Sequence, residues 1–275
     1  MQPRLVIVGA GNVGQALVRG AVLSGLAAPS EIAVVDTDPA RVAESVAQGL
    51  RAADEEAVAS CDILLLAVKP QQFEEAARPI AAALRRHAAG PGPIVASVMA
   101  GIRADAIRAA LGPALRVVRA MPNTPAGVRR GITAIASDSG VDAASVAQVE
   151  QLFASVGRTV RVEERLFDAV TAVSGSGPAF VFRFLEAWAS AAEELGLPSG
   201  TAEALARETL IGAAALLDET KERPEVLRAK VTSKGGTTAA GLARMDDATA
   251  RPGGIDGLLS ETLRAARDRG AELGR

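Results

Sequence analysis

Two glycine-rich turns in this chain have the residue types that bind anions. The first is Gly9–Gly14, and the second is Val231–Thr238, with the sequence Val-Thr-Ser-Lys-Gly-Gly-Thr-Thr. Glycines let a ligand approach the backbone closely, and the free N–H groups at the start of a following helix carry a partial positive charge. Ser233, Thr237 and Thr238 add hydroxyl groups, which bring no net charge. One such turn indicates a cofactor, and two indicate a cofactor together with an anionic substrate.

The N-terminal turn follows the first predicted strand directly and opens the first predicted helix. In that position the G-x-G-x-x-G spacing is typical of a dinucleotide-binding site. Gly9 makes the tight turn, Gly11 leaves room for a pyrophosphate, and Gly14 lets the helix pack closely on the strand. The alternative is a turn that merely connects strand to helix.

Asp36 ends the second predicted strand, about 20 residues beyond this turn, where a carboxylate accepts hydrogen bonds from the adenosine ribose. A carboxylate there repels a 2′-phosphate, which favours NADH over NADPH. Thr37 and Arg41 are close enough to bind that phosphate if Asp36 turns away, so both cofactors stay open. Asp36 has an alternative role as a helix cap, for which Asp38 competes.

Two more segments end predicted strands at the carboxyl edge of the sheet, where open α/β folds bind ligands. They are Ala67-Val68-Lys69-Pro70 and Met121-Pro122-Asn123-Thr124-Pro125. Lys69 either reaches the phosphates or is solvated, as most lysines are. The second segment presents an amide and a hydroxyl on a rigid loop, which either orients a nicotinamide or is only a turn.

The elements that position these residues change in type along the chain. Up to about Gly157, short β-rich runs alternate with longer Ala-rich helical runs, which predicts a parallel sheet covered by helices. Predicted strands are 4–8, 32–36, 63–68, 94–98, 115–119, 133–136 and 159–162, and predicted helices are 13–23, 39–48, 71–88, 103–110 and 142–155.

After about Val162 the chain reads almost entirely as helix. A run at 170–174 leads to a Gly-Ser-Gly-Pro break, and the helices that follow are 179–195, 201–219, 224–231, 238–245 and 255–272. We predict an α/β Rossmann-type doubly wound domain at residues 1–162 and an all-α domain at residues 163–275. The helical part is rich in Ala and Leu and buries its faces best against a second copy, which predicts a dimer.

Composition excludes several classes of protein. The 275 residues are 49% apolar and 23% charged with a net charge of −2, which argues against nucleic acid as the main partner. No apolar stretch reaches membrane-spanning length, so we expect no membrane partner and a cytoplasmic location. The single cysteine, Cys61, fits a reducing compartment and is expected to be a buried structural thiol. We expect no metal ion.

Together the motifs resemble the pyrroline-5-carboxylate reductase family, which catalyses the last step of proline synthesis. The matching pieces are Gly9–Gly14, Ala67–Gln71, Arg119 with Met121–Pro125, Asp168–Ala179, and Val231–Thr238 followed by Gly241-Leu242. The resemblance implies an NADPH- or NADH-binding domain and a helical domain that forms an intertwined homodimer, with higher oligomers in some members. It also implies hydride transfer from C4 of the nicotinamide to C5 of 1-pyrroline-5-carboxylate, giving L-proline.

Carried over by position, the substrate site lies on the turn Ser233–Thr238, whose backbone amides hold the substrate carboxylate. Thr238 hydrogen-bonds the ring nitrogen and is the candidate catalytic residue, and Glu164 falls where members place an acidic residue near the ligands. The substrate-binding candidates are Glu164, Ser233, Gly235, Gly236, Thr237 and Thr238. The cofactor-binding candidates are Gly9, Ala10, Gly11, Asn12, Val13, Gly14, Asp36, Asp54, Ala67, Val68, Lys69, Pro70, Met99, Ala100 and Asn123.

Three positions depart from the family pattern. Lys234 stands where many members have proline, and its charge adds attraction for a carboxylate. Asp54 replaces a common asparagine that touches the cofactor ribose, which puts that contact in doubt. Asp36 stands where NADPH-preferring members usually have a neutral or hydroxyl residue.

Two other interpretations stay open. A β-hydroxyacid dehydrogenase shares the two-domain plan, but it has a Gly-x-Ser-Gly-Gly-like loop after the fifth strand, where this chain has Val98-Met99-Ala100-Gly101. A non-catalytic nucleotide-sensing module needs the first turn but not the second. The acid–base inventory indicates a modest catalytic role for the protein, because there is no tyrosine and the one histidine, His87, is expected at a helix end.

Overall fold

The computed structural model describes residues 2–87, 90, 92–248 and 253–273. The described chain divides into two compact units. One is the part up to Ser176 together with the end of the chain from Ala266, and the other is Gly177–Ala265. The predicted domain boundary at Val162 lies inside the first unit, and the division into domains at residues 1–162 and 163–275 stays a prediction.

One sheet forms the centre of the first unit, and within the described residues it has eight strands in the order β3-β2-β1-β4-β5-β6-β7-β8. The strands are β1 Leu5–Val8, β2 Ile32–Val35, β3 Arg51–Ala52, β4 Ile63–Leu66, β5 Ile94–Ser97, β6 Arg116–Met121, β7 Gly131–Ser137 and β8 Gly157–Arg161. The seven predicted strands are confirmed with small shifts at their ends. The two-residue strand β3 is an addition that was too short to leave a pattern.

The expectation of a fully parallel sheet is wrong at one pair, since β6 and β7 are antiparallel while all other neighbours are parallel. A parallel connection needs a crossover of a dozen or more residues, usually a helix. Only the short 3-10 turn Thr124–Val128 and its flanking residues join β6 to β7. The chain therefore turns back, and β7 runs against β6.

Helices cover both faces of this sheet. They are α1 Asn12–Leu23, α2 Pro39–Ala47, α3 Glu55–Ser60, α4 Phe73–Arg86, α5 Ala104–Leu111 and α6 Ala143–Ala154. Alternate residues of β4 show why its sequence is continuously apolar. Leu65 packs in one cluster with Phe153 of α6, and Leu64 packs in the other with Ile107 of α5. All four residues are at most 1% exposed, as expected for a strand covered on both faces.

The remaining helices are α7 Phe167–Val170, α8 Gly177–Glu194, α9 Ser199–Thr220, α10 Pro224–Lys230, α11 Thr237–Met245 and α12 Gly254–Leu273. A π-helical segment, Thr171–Gly175, follows α7 directly and covers most of the predicted run 170–174 and the first residue of the predicted Gly-Ser-Gly-Pro break. Its register is set by the Ser176 N–H, which donates to the Thr171 carbonyl five residues back. In the second unit α8 packs on α9.

The buried thiol predicted for Cys61 is confirmed. The residue is 4% exposed, directly precedes the short turn into β4 and belongs to the apolar cluster on the α4–α5 side of the sheet. Burial raises the pKa of the Cys61 thiol to about 12. At neutral pH the group is therefore a neutral thiol, which is neither a good nucleophile nor a metal ligand.

Cys61 should therefore report unfolding. We expect the native protein to resist 5,5′-dithiobis(2-nitrobenzoate) at pH 8, because the thiolate forms only when the strand and helices around it separate. Titration in guanidinium should then release one equivalent of thiol per chain, since the sequence holds a single cysteine. Stoichiometric reaction of the native protein within seconds would contradict this description of the core.

Candidate active site

The N-terminal glycine turn is packed against the end of a neighbouring strand. Gly9 has φ +102°, and a Cβ placed on it would lie 2.7 Å from the Ala67 carbonyl oxygen. A Cβ on Gly14 would lie 2.6 Å from the Gly9 oxygen, whereas one on Gly11 would meet nothing within 4 Å. Gly9 and Gly14 are therefore required by packing, while Gly11 keeps an open space.

Asp36 holds this turn from the side. Its carboxylate accepts hydrogen bonds from the Ala10 N–H at 2.7 Å and from the Asp38 N–H at 2.9 Å. Arg41 lies 3.7 Å from the same carboxylate, whose side chain is 8% exposed. Asp38 caps α2 by accepting a hydrogen bond from the Ala40 N–H, so the alternative role of Asp36 as the helix cap is wrong. Asp36 stands one residue beyond β2 with its carboxylate oriented by the turn.

A cleft of about 580 Å³ opens beside the turn and fits a dinucleotide. The open side of Gly11 faces it, and helix α1 begins at Asn12 with no side-chain cap, so its first N–H groups are available to a pyrophosphate. Asn123 lines the same cleft, and its side-chain oxygen already accepts from the Ile132 N–H at 3.0 Å. The Asn123 amide nitrogen is thus the group left to contact a ligand.

The other cofactor-binding candidates surround the carboxyl ends of β4 and β5. Ala67–Pro70 follows β4, and within it the Lys69 side chain is exposed at the start of a 3-10 turn. Met99 is 1% exposed as a whole residue, backbone included, while Ala100 is partly buried. Asp54 caps α3 by accepting from the Ala57 N–H at 2.8 Å. That hydrogen bond gives Asp54 a structural role that does not depend on a ligand.

Glu164 is joined to a charged residue that the sequence analysis matched to the family without giving it a role. One oxygen of the Glu164 carboxylate accepts from Arg119 Nη1 at 3.1 Å and from the Ala104 N–H at 2.8 Å. The Arg119 side chain is 5% exposed. Burial lowers the pKa of its guanidinium, which the hydrogen bond and charge of Glu164 oppose. The sequence held one indication of this pair, since an arginine inside a strand that is covered on both faces needs a buried acidic partner.

The C-terminal glycine turn lies in the second unit and has the geometry of an anion site. Gly235 has φ +73°, and the Gly236 N–H donates to the Ser233 carbonyl at 3.1 Å. A Cβ on Gly236 would lie 2.4 Å from Ser233 Oγ and 3.3 Å from the Ser233 carbonyl oxygen, so a side chain there would displace the Ser233 hydroxyl. Gly236 caps α11 without a side-chain bond, which leaves the N–H groups of Thr237 and Thr238 free of intrahelical partners.

The acid–base groups near these turns are few. His87 directly follows the last residue of α4, as predicted for a residue at a helix end, and its side chain is 37% exposed and lies 3.9 Å from Glu55. Among residues 2–87, 90, 92–248 and 253–273, no group of three or more His, Cys, Asp or Glu side chains is placed to hold a metal ion. No helix within the same described residues is long and apolar enough to cross a membrane.

Comparison with known proteins identifies the family. Residues 164–273 match the model for pyrroline-5-carboxylate reductase dimerisation, and residues 4–101 match the model for coenzyme F420-dependent NADP oxidoreductase. The pyrroline-5-carboxylate reductase of Synechocystis is 37% identical over 278 residues, covering 100% of this chain and 100% of that protein. The chain belongs to the pyrroline-5-carboxylate reductase family. The reductase of Pseudomonas aeruginosa is also 37% identical, over 98% of this chain and 97% of its own length.

Solved structures of the reductase family have the same fold. The pyrroline-5-carboxylate reductase of Coxiella burnetii superimposes with a TM-score of 0.88 at 32% identity, over 100% of both chains. The Plasmodium falciparum protein, solved with NADP bound, gives a TM-score of 0.80 at 23% identity over 99% of this chain and 98% of its own. The second likeness concerns the fold alone.

The match to the dimerisation model covers the helices with the most exposed apolar surface. On α8, Phe182 is 61% exposed, Phe184 46% and Trp188 39%, and on α9 Ile211 is 50% exposed. Apolar patches of this kind mark interaction surfaces. The family match and these faces together support homo-oligomerisation.

The packing of the three glycines yields a paired prediction. We expect Gly14→Ala to lower the free energy of unfolding by about 1–3 kcal/mol, because the new methyl group overlaps the Gly9 carbonyl. Gly11→Ala should leave stability within about 0.5 kcal/mol of wild type. It should weaken NAD(P)H binding about tenfold, because the methyl group fills the space beside the pyrophosphate.

Guanidinium unfolding and nucleotide-fluorescence titration measure the two effects. Unchanged NAD(P)H binding by Gly11→Ala would place the pyrophosphate elsewhere.

Proposed function

We propose that this protein reduces the C5=N bond of 1-pyrroline-5-carboxylate to give L-proline, with NADPH or NADH as the hydride donor. The observation that carries the proposal is the 37% identity, over the whole length of both chains, to a pyrroline-5-carboxylate reductase. The two glycine turns support it, because one fits a dinucleotide and the other fits a small anion. Within the same proposal the protein is a homodimer in the cytoplasm, which its lone buried thiol suits.

The first unit binds and orients the cofactor. The α1 N-terminus beyond Gly11 provides N–H groups for the pyrophosphate, and Asp36 accepts hydrogen bonds from the adenosine ribose hydroxyls. When bound, NAD(P)H supplies the hydride that passes from C4 of its nicotinamide to C5 of the imine. The contribution of the protein to this step is orientation and electrostatics.

The C-terminal turn holds the substrate. The N–H groups at the start of α11 receive the carboxylate, and Lys234, which is exposed in the same turn, adds a positive charge. The Thr238 hydroxyl makes no hydrogen bond in the part of the chain that the structure describes, so it is available to donate to the ring nitrogen. An imine becomes more electrophilic as its nitrogen gains a proton or a hydrogen bond, which gives Thr238 its role in the reaction.

One assay tests the proposed reaction against the other interpretations. Oxidation of NADH and NADPH is followed with 1-pyrroline-5-carboxylate, and reduction of NAD and NADP is followed with a panel of 2- and 3-hydroxyacids. We expect turnover with the imine alone. Turnover with a hydroxyacid alone would identify a dehydrogenase, and nucleotide binding without any turnover would identify a sensing module.

Thr238→Ala should lower turnover of the imine while leaving the Kd for NADH nearly unchanged, because the hydroxyl contacts the ring nitrogen and not the nucleotide. Thr238→Ser should recover much of the rate, since it keeps the donor. Thr262→Ala is the matched control, because its hydroxyl bonds only the Leu258 carbonyl one turn back on the same helix. An equal loss of NADH affinity in Thr238→Ala would show that the turn serves the nucleotide instead.

Asp36→Asn should shift cofactor preference. Juxtaposed like charges cost several kcal/mol, so removing the carboxylate should raise the ratio of kcat/KM for NADPH to that for NADH about tenfold. Asparagine keeps an oxygen for the Ala10 N–H, the bond that anchors the glycine turn, although the Asp38 N–H loses its acceptor. Asp38→Asn is the control, since it removes a carboxylate beside the same Arg41 and still caps α2. The same ratio in wild type and Asp36→Asn would limit Asp36 to holding the turn.

A further inference from the structure

The Arg119 guanidinium is enclosed by one short segment of chain. Glu164 accepts one of its hydrogen bonds, and three residues later the Phe167 ring lies under the guanidinium carbon at 4.4 Å from the ring centre. Arg119 Nε is buried and has no hydrogen-bond partner within the described residues. A buried cation with one unmet donor costs stability unless a carboxylate compensates it. Glu164 is therefore held firmly in one orientation.

The same Glu164 oxygen binds the end of the turn between β5 and α5, and a second hydrogen bond holds the start of that turn. Residues 98–103 connect β5 to α5, and the Ala104 N–H at the first position of α5 donates to Glu164. At the other end the Met99 N–H donates to Ser97 Oγ at 3.3 Å, and Ser97 is 1% exposed. Between the two anchors, Ala100 packs against the cluster that contains Phe167. The turn is thus fixed at both ends, with Glu164 acting on the helix end.

We propose that Arg119 and Glu164 are positioning residues for the bound cofactor, because their ion pair fixes the turn 98–103 whose backbone lines the nicotinamide. This inference rests on the proposed function and on the resemblance to the reductase family, which implies that the backbone at Met99 and Ala100 lines the nicotinamide and ribose. It replaces the direct substrate contact expected of Glu164 with an action through the Ala104 N–H. Arg119 in turn holds Glu164 in the orientation that accepts that N–H.

The test measures cofactor binding separately from turnover in the full-length protein. The variants are Glu164→Ala, Glu164→Gln, Arg119→Lys and Arg119→Met, with Glu163→Gln as the matched control. Glu163 is the exposed neighbour of Glu164, and its ion-pair partner is the exposed Arg165. For each protein, the Kd for NADPH and NADH comes from nucleotide fluorescence without substrate, the KM comes from 1-pyrroline-5-carboxylate reduction, and thermal unfolding gives the Tm.

We expect Glu164→Ala to raise the Kd for the nucleotide about tenfold, the loss that follows removal of one charge-assisted hydrogen bond. The KM for the imine should stay within about twofold. Glu164→Gln should recover most of the affinity, since its amide oxygen still accepts from the Ala104 N–H. Arg119→Met should weaken nucleotide binding more than Arg119→Lys, and Glu163→Gln should match wild type.

Two results would overturn the proposal. A raised KM for the imine with an unchanged Kd for the nucleotide would assign Glu164 to the substrate, and a lowered Tm with both constants unchanged would make the ion pair purely structural. Where Glu164→Ala or Arg119→Met fails to fold, Arg119→Lys decides the question, because it loses the Arg119 Nη1 contact to Glu164 and keeps the charge: a raised Kd for the nucleotide supports the proposal, and an unchanged Kd overturns it. Absence of imine reduction by the wild-type protein would instead defeat the proposed function, while the nucleotide Kd values still test the positioning role.

Discussion

The close approach of the Gly9 backbone to the Ala67 carbonyl is the constraint on which the nucleotide site depends. β1 lies between β2 and β4, so the turn that follows it must pass directly over the ends of both neighbours. With no Cβ at Gly9 the chain passes over the end of β4, and with none at Gly14 helix α1 starts against the turn. This packing points the first amides of α1 at the cleft and brings the Ala10 N–H to Asp36. A side chain at either glycine would separate the elements that form the site.

A second constraint operates at β6, where a buried charge fixes the neighbouring segments, as backbone packing does at the glycine turn after β1. Arg119 stands on the same face of β6 as apolar residues, and its compensation by Glu164 links β6, the start of α5 and the segment before α7. Replacing a buried ion pair with apolar residues is often neutral for stability. The structural consequence of the pair is that the carboxylate paired with Arg119 also fixes the end of the turn 98–103 through the Ala104 N–H.

Much of the fold follows from local pattern. Continuous apolar runs predict the strands, and amphipathic Ala-rich runs predict the helices, because burial on two faces or on one leaves a direct trace in the sequence. The antiparallel pair β6–β7 was missed because strand direction depends on the length of the connection as well as on the strands. In the site, glycine spacing indicated two anion-binding turns. The capping role of Asp54 was missed because the six-residue helix α3 that it caps was not predicted. The pairing of Arg119 with Glu164 was missed because it joins residues 45 positions apart.

The sequence by itself determined that glycine-rich turns precede two helices and that a carboxylate follows β2, and from these it predicts sites for anions and for a ribose; the resemblance to the reductase family adds the prediction that the Thr238 hydroxyl contacts a ring nitrogen. The predictions for the glycines and the carboxylate depend on spacing along the chain, which the sequence shows directly, whereas the prediction for the hydroxyl depends on the family resemblance. Only the tertiary structure decided which polar groups the protein itself uses. Asp36 is held by the Ala10 amide, the Asn123 oxygen is taken by Ile132, and Glu164 is shared between Arg119 and Ala104. Such pairings join distant parts of the chain, because hydrogen-bond partners are set by the packing of whole elements and not by neighbours in sequence.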